Sequence, residues 1–137
     1  MKRGQISVEF ITIFGFILIM IIPLITIFFD QSSSVQDKVT MNHLRNVAIK
    51  LTDKAEEVYY LGEPTKMTIK AFLPEMIESI NITQRTITFR YKTLKNTLND
   101  MTSVSLVNIT GNISSEPGIH YIEVEASGGE VSIRDSG

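Results

Sequence analysis

A run of 20 consecutive residues without a charge, residues 10–29, constrains this 137-residue chain more than any other feature. Sixteen of these residues are apolar, and the other four are Thr12, Gly15, Pro23 and Thr26. An α-helix rises about 1.5 Å per residue, so a helix of this length spans about 30 Å, the thickness of the hydrocarbon core of a bilayer. The run is therefore long enough and apolar enough to cross a membrane.

The residues on either side of the apolar run indicate how it is processed. An ordinary secretory signal peptide has an apolar stretch of about 7 to 15 residues and a small-x-small cleavage site after it. Here the stretch is longer, and only the weak match Ser32-x-Ser34 follows it. The basic leader Lys2-Arg3-Gly4 and the polar motif Gln5-x-Ser7-x-Glu9 stand directly before the run instead. The residues behind the apolar run therefore offer no good cleavage site of the ordinary kind.

This arrangement resembles the class III signal peptides of archaeal type IV pilin-like proteins. In that family a membrane-embedded prepilin peptidase cuts after the glycine, which implies cleavage between Gly4 and Gln5. Archaeal flagellin-type pilins share the basic leader that ends in glycine, but they lack the polar motif and match less well. The residues that the resemblance assigns to processing and assembly are Lys2, Arg3, Gln5, Ser7 and Glu9.

The resemblance implies a pilin, the structural subunit of a type IV pilus-like surface filament that serves adhesion or surface attachment. The chain would be made as a membrane-anchored prepilin, cleaved, and assembled into a helical homopolymer. Its partners would be copies of itself, the membrane before assembly, the prepilin peptidase and the pilus assembly machinery. The alternative is a non-polymerising single-span membrane protein whose external β-domain binds a ligand or partner. The polar motif favours the pilin, because a simple anchor needs no such motif.

Glu9 is the ionisable residue directly before the apolar run. A charged side chain at the centre of a span costs about 2.5 to 3.5 kcal/mol, so such groups lie at the membrane edge, are paired, or have a function. In pilins the acidic residue at this position is thought to neutralise the new N-terminal amine of a neighbouring subunit. Here that terminus would be Gln5, whose cyclisation to pyroglutamate would remove the charge. We therefore expect Glu9 to set axial register through hydrogen bonding at least as much as through an ion pair; resting among lipid headgroups is the alternative.

Charge and cysteine content narrow the function classes. The net charge is −2, and removal of Lys2 and Arg3 leaves 11 basic and 15 acidic residues, a net charge of −4. Nucleic-acid binders are normally basic, so we expect no nucleic-acid partner. The chain has no cysteine, which excludes disulfides, zinc-cysteine sites and thiol catalysis.

The charges around the apolar run predict its orientation. The leader is basic, whereas the first basic residue after the run is Lys38. The positive-inside tendency then leaves the N-terminus in the cytoplasm and the C-terminal domain outside. After cleavage the chain would belong to an extracellular pilus at the cell surface. Three N-x-[ST] sequons in that domain are candidate N-glycosylation sites or simply mark strand ends and turns; they begin at Asn81, Asn108 and Asn112.

Apolar residues continue at helical spacing beyond the run. One apolar stripe, spaced by three and four residues, comprises Leu44, Ala48, Leu51, Ala55 and Val58. No Pro or Gly occurs in residues 24–61, so the pattern predicts one continuous helix over residues 6–61, amphipathic in its second half. Gly62 and Pro64 mark its end. Pro23 predicts a kink or a local loss of helix, and the serines at 32–34 are the weakest point.

The rest of the chain has the alternating pattern of short strands. The predicted strands are 66–72, 77–82, 86–91, 104–109, 119–126 and 130–134. The predicted fold class is α+β, with the long helix packed on a small antiparallel sheet or sandwich. The predicted segments are a leader at 1–4, a transmembrane or filament-core helix at 5–30, an amphipathic helix at 31–62 and an extracellular β-domain at 63–137.

Residue types that carry catalysis are sparse. His43 and His120 have no partner nearby in the sequence, so both are expected at the surface or at a strand edge. Glu123-x-Glu125 is the closest carboxylate pair on one strand face, where solvent exposure is the simplest explanation. Phosphate-binding glycine loops and nucleophile elbows are missing from the sequence. We therefore expect no enzymatic activity, no cofactor and no metal.

Overall fold

A computed structural model describes the backbone of residues 2–136 and the side chains of residues 7–136. Within this part of the chain one helix precedes seven strands. The elements are α1 (Lys2–Leu61), β1 (Lys66–Leu73), β2 (Ile77–Thr83), β3 (Thr86–Lys92), β4 (Leu98–Val104), β5 (Ile109–Asn112), β6 (Gly118–Ser127) and β7 (Glu130–Asp135). The α+β fold class expected from the sequence is confirmed.

Helix α1 continues through the points at which the sequence suggested a break. It includes Pro23 and the serines at 32–34 without interruption, so the expected weak point is not a break. The Ser33 hydroxyl donates to the carbonyl of Phe29 at 3.1 Å, which satisfies a polar side chain without opening the helix. A kink at Pro23 remains a prediction.

The end of α1 agrees with the sequence. Gly62 has a φ of 76° and its N–H donates to the carbonyl of Val58 at 3.2 Å. A left-handed residue at this position closes the last helical turn, and glycine adopts that conformation without a steric penalty from Cβ. The chain therefore turns sharply into β1.

The chain comprises two compact units, residues 1–36 and residues 37–137. In the second unit the predicted helix stripe from Leu44 to Val58 is buried against the strands, together with Val47. The largest fully buried strand residues of this core are Phe89, Leu73, Ile87, Ile109, Ile122 and Ile133. The packing of the amphipathic part of the helix on the β-domain is therefore confirmed.

The strands form two sheets. The four-stranded sheet has the order β1-β6-β7-β5, the three-stranded sheet has the order β2-β3-β4, and β2 lies beside β5 where the sheets meet. All pairs are antiparallel except β5 with β7, which is parallel. The sequence predicted an antiparallel sheet or sandwich, so the parallel pair of β5 and β7 differs from that prediction.

The prediction of a strand at residues 104–109 is wrong. β4 ends at Val104 and β5 begins at Ile109, while the residues between them pass from one sheet to the other. Ser105, Val107 and Ile109 are all buried, so alternation of burial continues although the backbone changes sheets. Alternation reports which side chains face the core, and it does not report which sheet the backbone joins.

Position 111 in β5 requires glycine, because the backbone of β7 lies too close for a side chain. Its φ is 140°, and a Cβ atom built at this position would lie 1.8 Å from the carbonyl oxygen of Ile133 in β7. We expect Gly111→Ala to lower the free energy of unfolding by more than about 2 kcal/mol, because backbone atoms cannot move away cheaply. Chemical denaturation of the detergent-solubilised full chain measures this change.

Gly118 provides a matched control for that substitution. Its φ is 138°, nearly the same as that of Gly111, but no atom lies within 4 Å of a Cβ added there. Gly118→Ala therefore carries the backbone strain without the clash, and we expect a clearly smaller loss of stability. Equal losses in the two variants would show that contact with β7 is not the cause.

Candidate membrane-spanning and assembly segment

The apolar segment, residues 10–29, has no buried side chain. Its large apolar side chains range from 42% exposed at Ile21 to 72% exposed at Ile19. The helix that carries the segment is long and apolar enough to cross a membrane. An apolar surface exposed on every side of a helix is stable in lipid or against other chains, and it is costly in water.

The few polar groups in the apolar segment are bonded within the helix. The Thr12 hydroxyl donates to the carbonyl of Val8, and the Thr26 hydroxyl donates to the carbonyl of Pro23, both at 2.8 Å. These bonds remove the need for water around the hydroxyls. Pro23 has no N–H, so the carbonyl of Ile19 lacks its usual donor one turn later. The helix therefore has one backbone hydrogen bond fewer at this position.

The polar motif ahead of the apolar segment is described only in part. The side chains of Lys2, Arg3 and Gln5, and the environment of the expected cleavage position, lie outside the described residues. Ser7 and Glu9 are both exposed, and Glu9 forms no ion pair or hydrogen bond with a described side chain. Residues two apart on a helix do not face each other. Any hydrogen bond between Glu9 and a Ser7 hydroxyl would therefore join two chains.

The three sequon asparagines lie in or beside two neighbouring strands, β2 and β5. Asn81 is in β2, Asn108 directly precedes β5 and Asn112 ends β5. All three side chains are exposed. The Thr83 hydroxyl donates to Oδ1 of Asn81 at 3.3 Å, which joins the first and third residues of that sequon. All three amides are therefore open to solvent near the junction of the two sheets.

The sequence predicted His120 at the surface or at a strand edge, and this prediction is wrong because the residue is buried on an inner strand. It is buried in β6, and its Nδ1 lies 2.6 Å from Oδ2 of Asp135 at the end of β7. Its Nε2 lies 2.8 Å from the carbonyl oxygen of Glu116. The Ser114 N–H also donates to the Asp135 carboxylate, at 3.3 Å. One carboxylate therefore ties the loop between β5 and β6 to the end of the last strand.

The contacts of His120 favour its charged form. A carbonyl oxygen and an ionised carboxylate only accept hydrogen bonds, so both ring nitrogens must donate. Burial of the ring has the largest single influence on the pKa of His120 and lowers it. The hydrogen bonds to Asp135 and to the Glu116 carbonyl, with the charges of both residues, outweigh burial and leave the pKa raised.

The raised pKa of His120 makes stability depend on pH. A histidine with a raised pKa in the folded chain contributes fully below its ordinary pKa of 6.5, and this contribution is lost as pH rises through the folded pKa. We expect the free energy of unfolding to fall through this pair as pH rises from below 6.5 through the folded pKa of His120. Denaturation of the full chain at several pH values measures the change. His120→Gln should remove this part of the slope, whereas His43→Gln should retain it.

His43 also has a partner that the sequence did not indicate. Its Nε2 donates to the carbonyl of Phe72 at 2.9 Å, and the two rings meet edge to face with centroids 6.0 Å apart. The contact joins α1 to β1 across 29 residues of sequence. Glu123, of the predicted carboxylate pair, forms an ion pair with Lys66 at 2.6 Å. These groups therefore support the fold.

Comparison with known proteins adds no assignment to these groups. No protein family, curated protein or solved structure matches the chain. The functional conclusion therefore rests on the apolar segment and on the polar motif that precedes it.

Proposed function

We propose that this chain is a pilin, the subunit of an archaeal type IV pilus-like surface filament. One observation carries the proposal: an uncharged helix, exposed on every side, directly follows the motif Lys2-Arg3-Gly4-Gln5-x-Ser7-x-Glu9. A membrane anchor explains only the helix and leaves the motif unexplained. A cleavable subunit that exchanges lipid for copies of itself explains both the helix and the motif.

Burial of the apolar helix against other copies would favour assembly. Burial of apolar surface contributes about 25 cal/mol per Å², so about 300 Å² buried per contact corresponds to about 7 kcal/mol against water. Lipid already supplies part of that gain to the precursor. A head-to-tail contact repeated by a rotation that does not close gives an open helical polymer. The rest of the free energy of assembly would depend on how closely the helices of neighbouring copies fit together.

The proposal includes an order of events. The basic leader keeps the N-terminus in the cytoplasm, residues 31–137 reach the outside, and the peptidase cuts between Gly4 and Gln5. The assembly machinery then draws the apolar helix from the membrane into the filament. Pro23, where one backbone hydrogen bond is missing, provides a point at which the helix can bend during this transfer.

Glycosylation of the external domain is part of the proposal. The exposed amides of Asn81, Asn108 and Asn112 are accessible to a transferase acting outside the cell. We expect each single Asn→Gln substitution at an occupied site to raise electrophoretic mobility by one glycan, with no loss of stability. Intact-mass measurement of the chain from its native host checks this. The matched control is Asn99→Gln, since Asn99 is exposed but begins no sequon.

Imaging separates the pilin from a non-polymerising anchor. Cells that express the chain should carry filaments that a β-domain antibody labels along their length, and deletion of the gene should remove them. An antibody signal that stays in the membrane fraction after shearing would favour the single-span protein with a ligand-binding external domain.

A further inference from the structure

Two strands of the β-domain end their sheets without a strand partner. β1 is the outer strand of the four-stranded sheet, and β4 is the outer strand of the three-stranded sheet on the side away from β5. Each therefore presents backbone N–H and C=O groups that its own sheet does not use. The register of each strand identifies the residues that carry these groups.

In β1 the outward groups belong to alternate residues. The Ala126 N–H donates to the Thr65 carbonyl at 3.1 Å, so this pair is hydrogen-bonded within the sheet. Hydrogen-bonded and non-hydrogen-bonded pairs alternate along an antiparallel ladder. The residues of β1 that point their backbone groups outward are Lys66, Thr68, Lys70 and Phe72. His43 already donates to the Phe72 carbonyl, as expected for a group on this edge, and it uses one of the two lone pairs of that oxygen.

In β4 the same reasoning selects a second set. The Ser105 N–H donates to the Arg85 carbonyl at 2.7 Å, and the Thr93 N–H donates to the Thr97 carbonyl at 2.9 Å. Both bonds place odd-numbered residues in hydrogen-bonded pairs with the β3 side, so the even-numbered residues of β4 point their backbone groups outward. The outward residues are Leu98, Asp100, Thr102 and Val104. Within the described chain, their outward backbone groups have no hydrogen-bond partner.

We propose that β1 of one copy pairs antiparallel with β4 of a second copy. Antiparallel alignment of the two sets joins Phe72 to Leu98, Lys70 to Asp100, Thr68 to Thr102, and Lys66 to Val104. The side chains of both sets are exposed, so in the joined sheet they lie on one face. Three of the four pairs are matched in chemistry: apolar with apolar, cation with anion, and threonine with threonine.

Exposed apolar side chains on both edges support this pairing. Phe72 is 53% exposed, Leu98 is 53% exposed and Val104 is 68% exposed. Edge strands that avoid other chains are usually short or guarded by charges. These two are eight and seven residues long, and the charges on their outward sets, Lys66 and Lys70 against Asp100, are opposite in sign. The pairing would cover Phe72 with Leu98.

The charges favour pairing of unlike edges. β1 presents two lysines and no acid along its outward set, whereas β4 presents Asp100 and no base. Arg90 bonds both oxygens of Asp100, at 2.8 and 2.9 Å, and each carboxylate oxygen can accept a further hydrogen bond from Lys70. Pairing of two β1 edges would bring lysines together, which is unfavourable. Exposed ion pairs select partners more than they add affinity, so Lys70 and Asp100 would set the register.

A contact between unlike edges leaves one edge of each kind free in every dimer. It can therefore propagate from copy to copy, as a polymer requires. The inference rests on the proposed function only in taking a second copy as the partner. It adds a contact in the β-domain that neither cleavage at Gly4 nor the apolar segment specifies.

Cysteine cross-linking tests the pairing, and the natural chain contributes no thiol. Full-length chains with Thr68→Cys and with Thr102→Cys are co-expressed, then oxidised in membranes and, separately, in sheared filaments. Cα atoms in a hydrogen-bonded antiparallel pair lie about 5.5 Å apart, within the disulfide range. We expect disulfide dimers from this mixture and from Phe72→Cys mixed with Leu98→Cys. Ser127→Cys mixed with Thr102→Cys is the control, because Ser127 is exposed but lies on an inner strand.

Each result bears on the pairing. Dimers from both mixtures, with monomers from each single variant and from the control, support it. Dimers from Thr68→Cys alone or Thr102→Cys alone indicate like edges and overturn it, as does the absence of dimers from both mixtures. Filaments without cross-links would refute the edge contact and leave the pilin proposal standing. Cross-links in membranes of cells without filaments would support the contact and count against the pilin.

Discussion

Replacement of Gly4 by phenylalanine should abolish filaments and leave the chain at precursor length in the membrane. The resemblance to class III signal peptides implies a peptidase that cuts after a glycine, and a large side chain in that position would block its approach to the bond. Uncut chains would keep Lys2 and Arg3 ahead of the apolar segment. These charges would have to enter an apolar helix bundle during assembly, at a cost of about 2.5 to 3.5 kcal/mol each at its centre. Immunoblots of membranes and of sheared filaments measure both effects.

Two control variants separate processing from membrane insertion. Gly4→Ala changes the same position by one methyl group and should retain some cleavage and some filaments. Gly15→Phe adds the same aromatic ring within the apolar segment, where no atom lies within 4 Å of an added Cβ, and should leave the precursor cleavable. Gly4→Phe chains of mature length in normal filaments would refute cleavage at this bond.

Replacement of Leu51 by aspartate should unfold the β-domain while leaving the apolar segment able to insert. Leu51 is 0% exposed, in the middle of the helix stripe that the strands cover. Burial of an unpaired carboxylate, with loss of the leucine contacts, is expected to cost about 4 kcal/mol or more. Most small domains have only about 5 to 15 kcal/mol of stability, so a loss of this size is severe. Limited proteolysis of membranes should then degrade the external part of the chain.

Ile49 offers the matched control for that substitution. It lies two residues away on the same helix and is 44% exposed. Ile49→Asp introduces the same carboxylate where water can reach it, and we expect a loss of about 1 kcal/mol or less. Similar protease sensitivity in the two variants would show that the α1 stripe does not hold the domain together.

The sequence alone predicted the features that depend on periodicity and local chemistry. The spacing of Leu44 to Val58 gave the buried helix face, and Gly62 gave the helix end. The apolar segment was recognisable because its length and lack of charge exceed what a signal peptide or a core helix needs. These features depend on residues near one another in the chain.

Features that depend on contacts distant in sequence escaped prediction. His120 and Asp135 meet only because β6 and β7 are adjacent and antiparallel, and neither residue has a distinctive neighbour. The change of sheet after Val104 was hidden by continuing alternation of buried residues. Strand β4 begins with Leu98 and two polar residues whose side chains are exposed, so its apolar signal is weak. The two outward edges became visible only with the register of all seven strands.

The mass of the chain recovered from sheared filaments tests the central claim most directly. We predict a chain that lacks Met1 to Gly4 and begins at Gln5, with loss of ammonia where that residue has cyclised, while the membrane fraction retains some full-length precursor. Asn→Gln variants at the three sequons allow glycan mass to be subtracted. Recovery of the chain only from membranes, at its full length, would contradict the account.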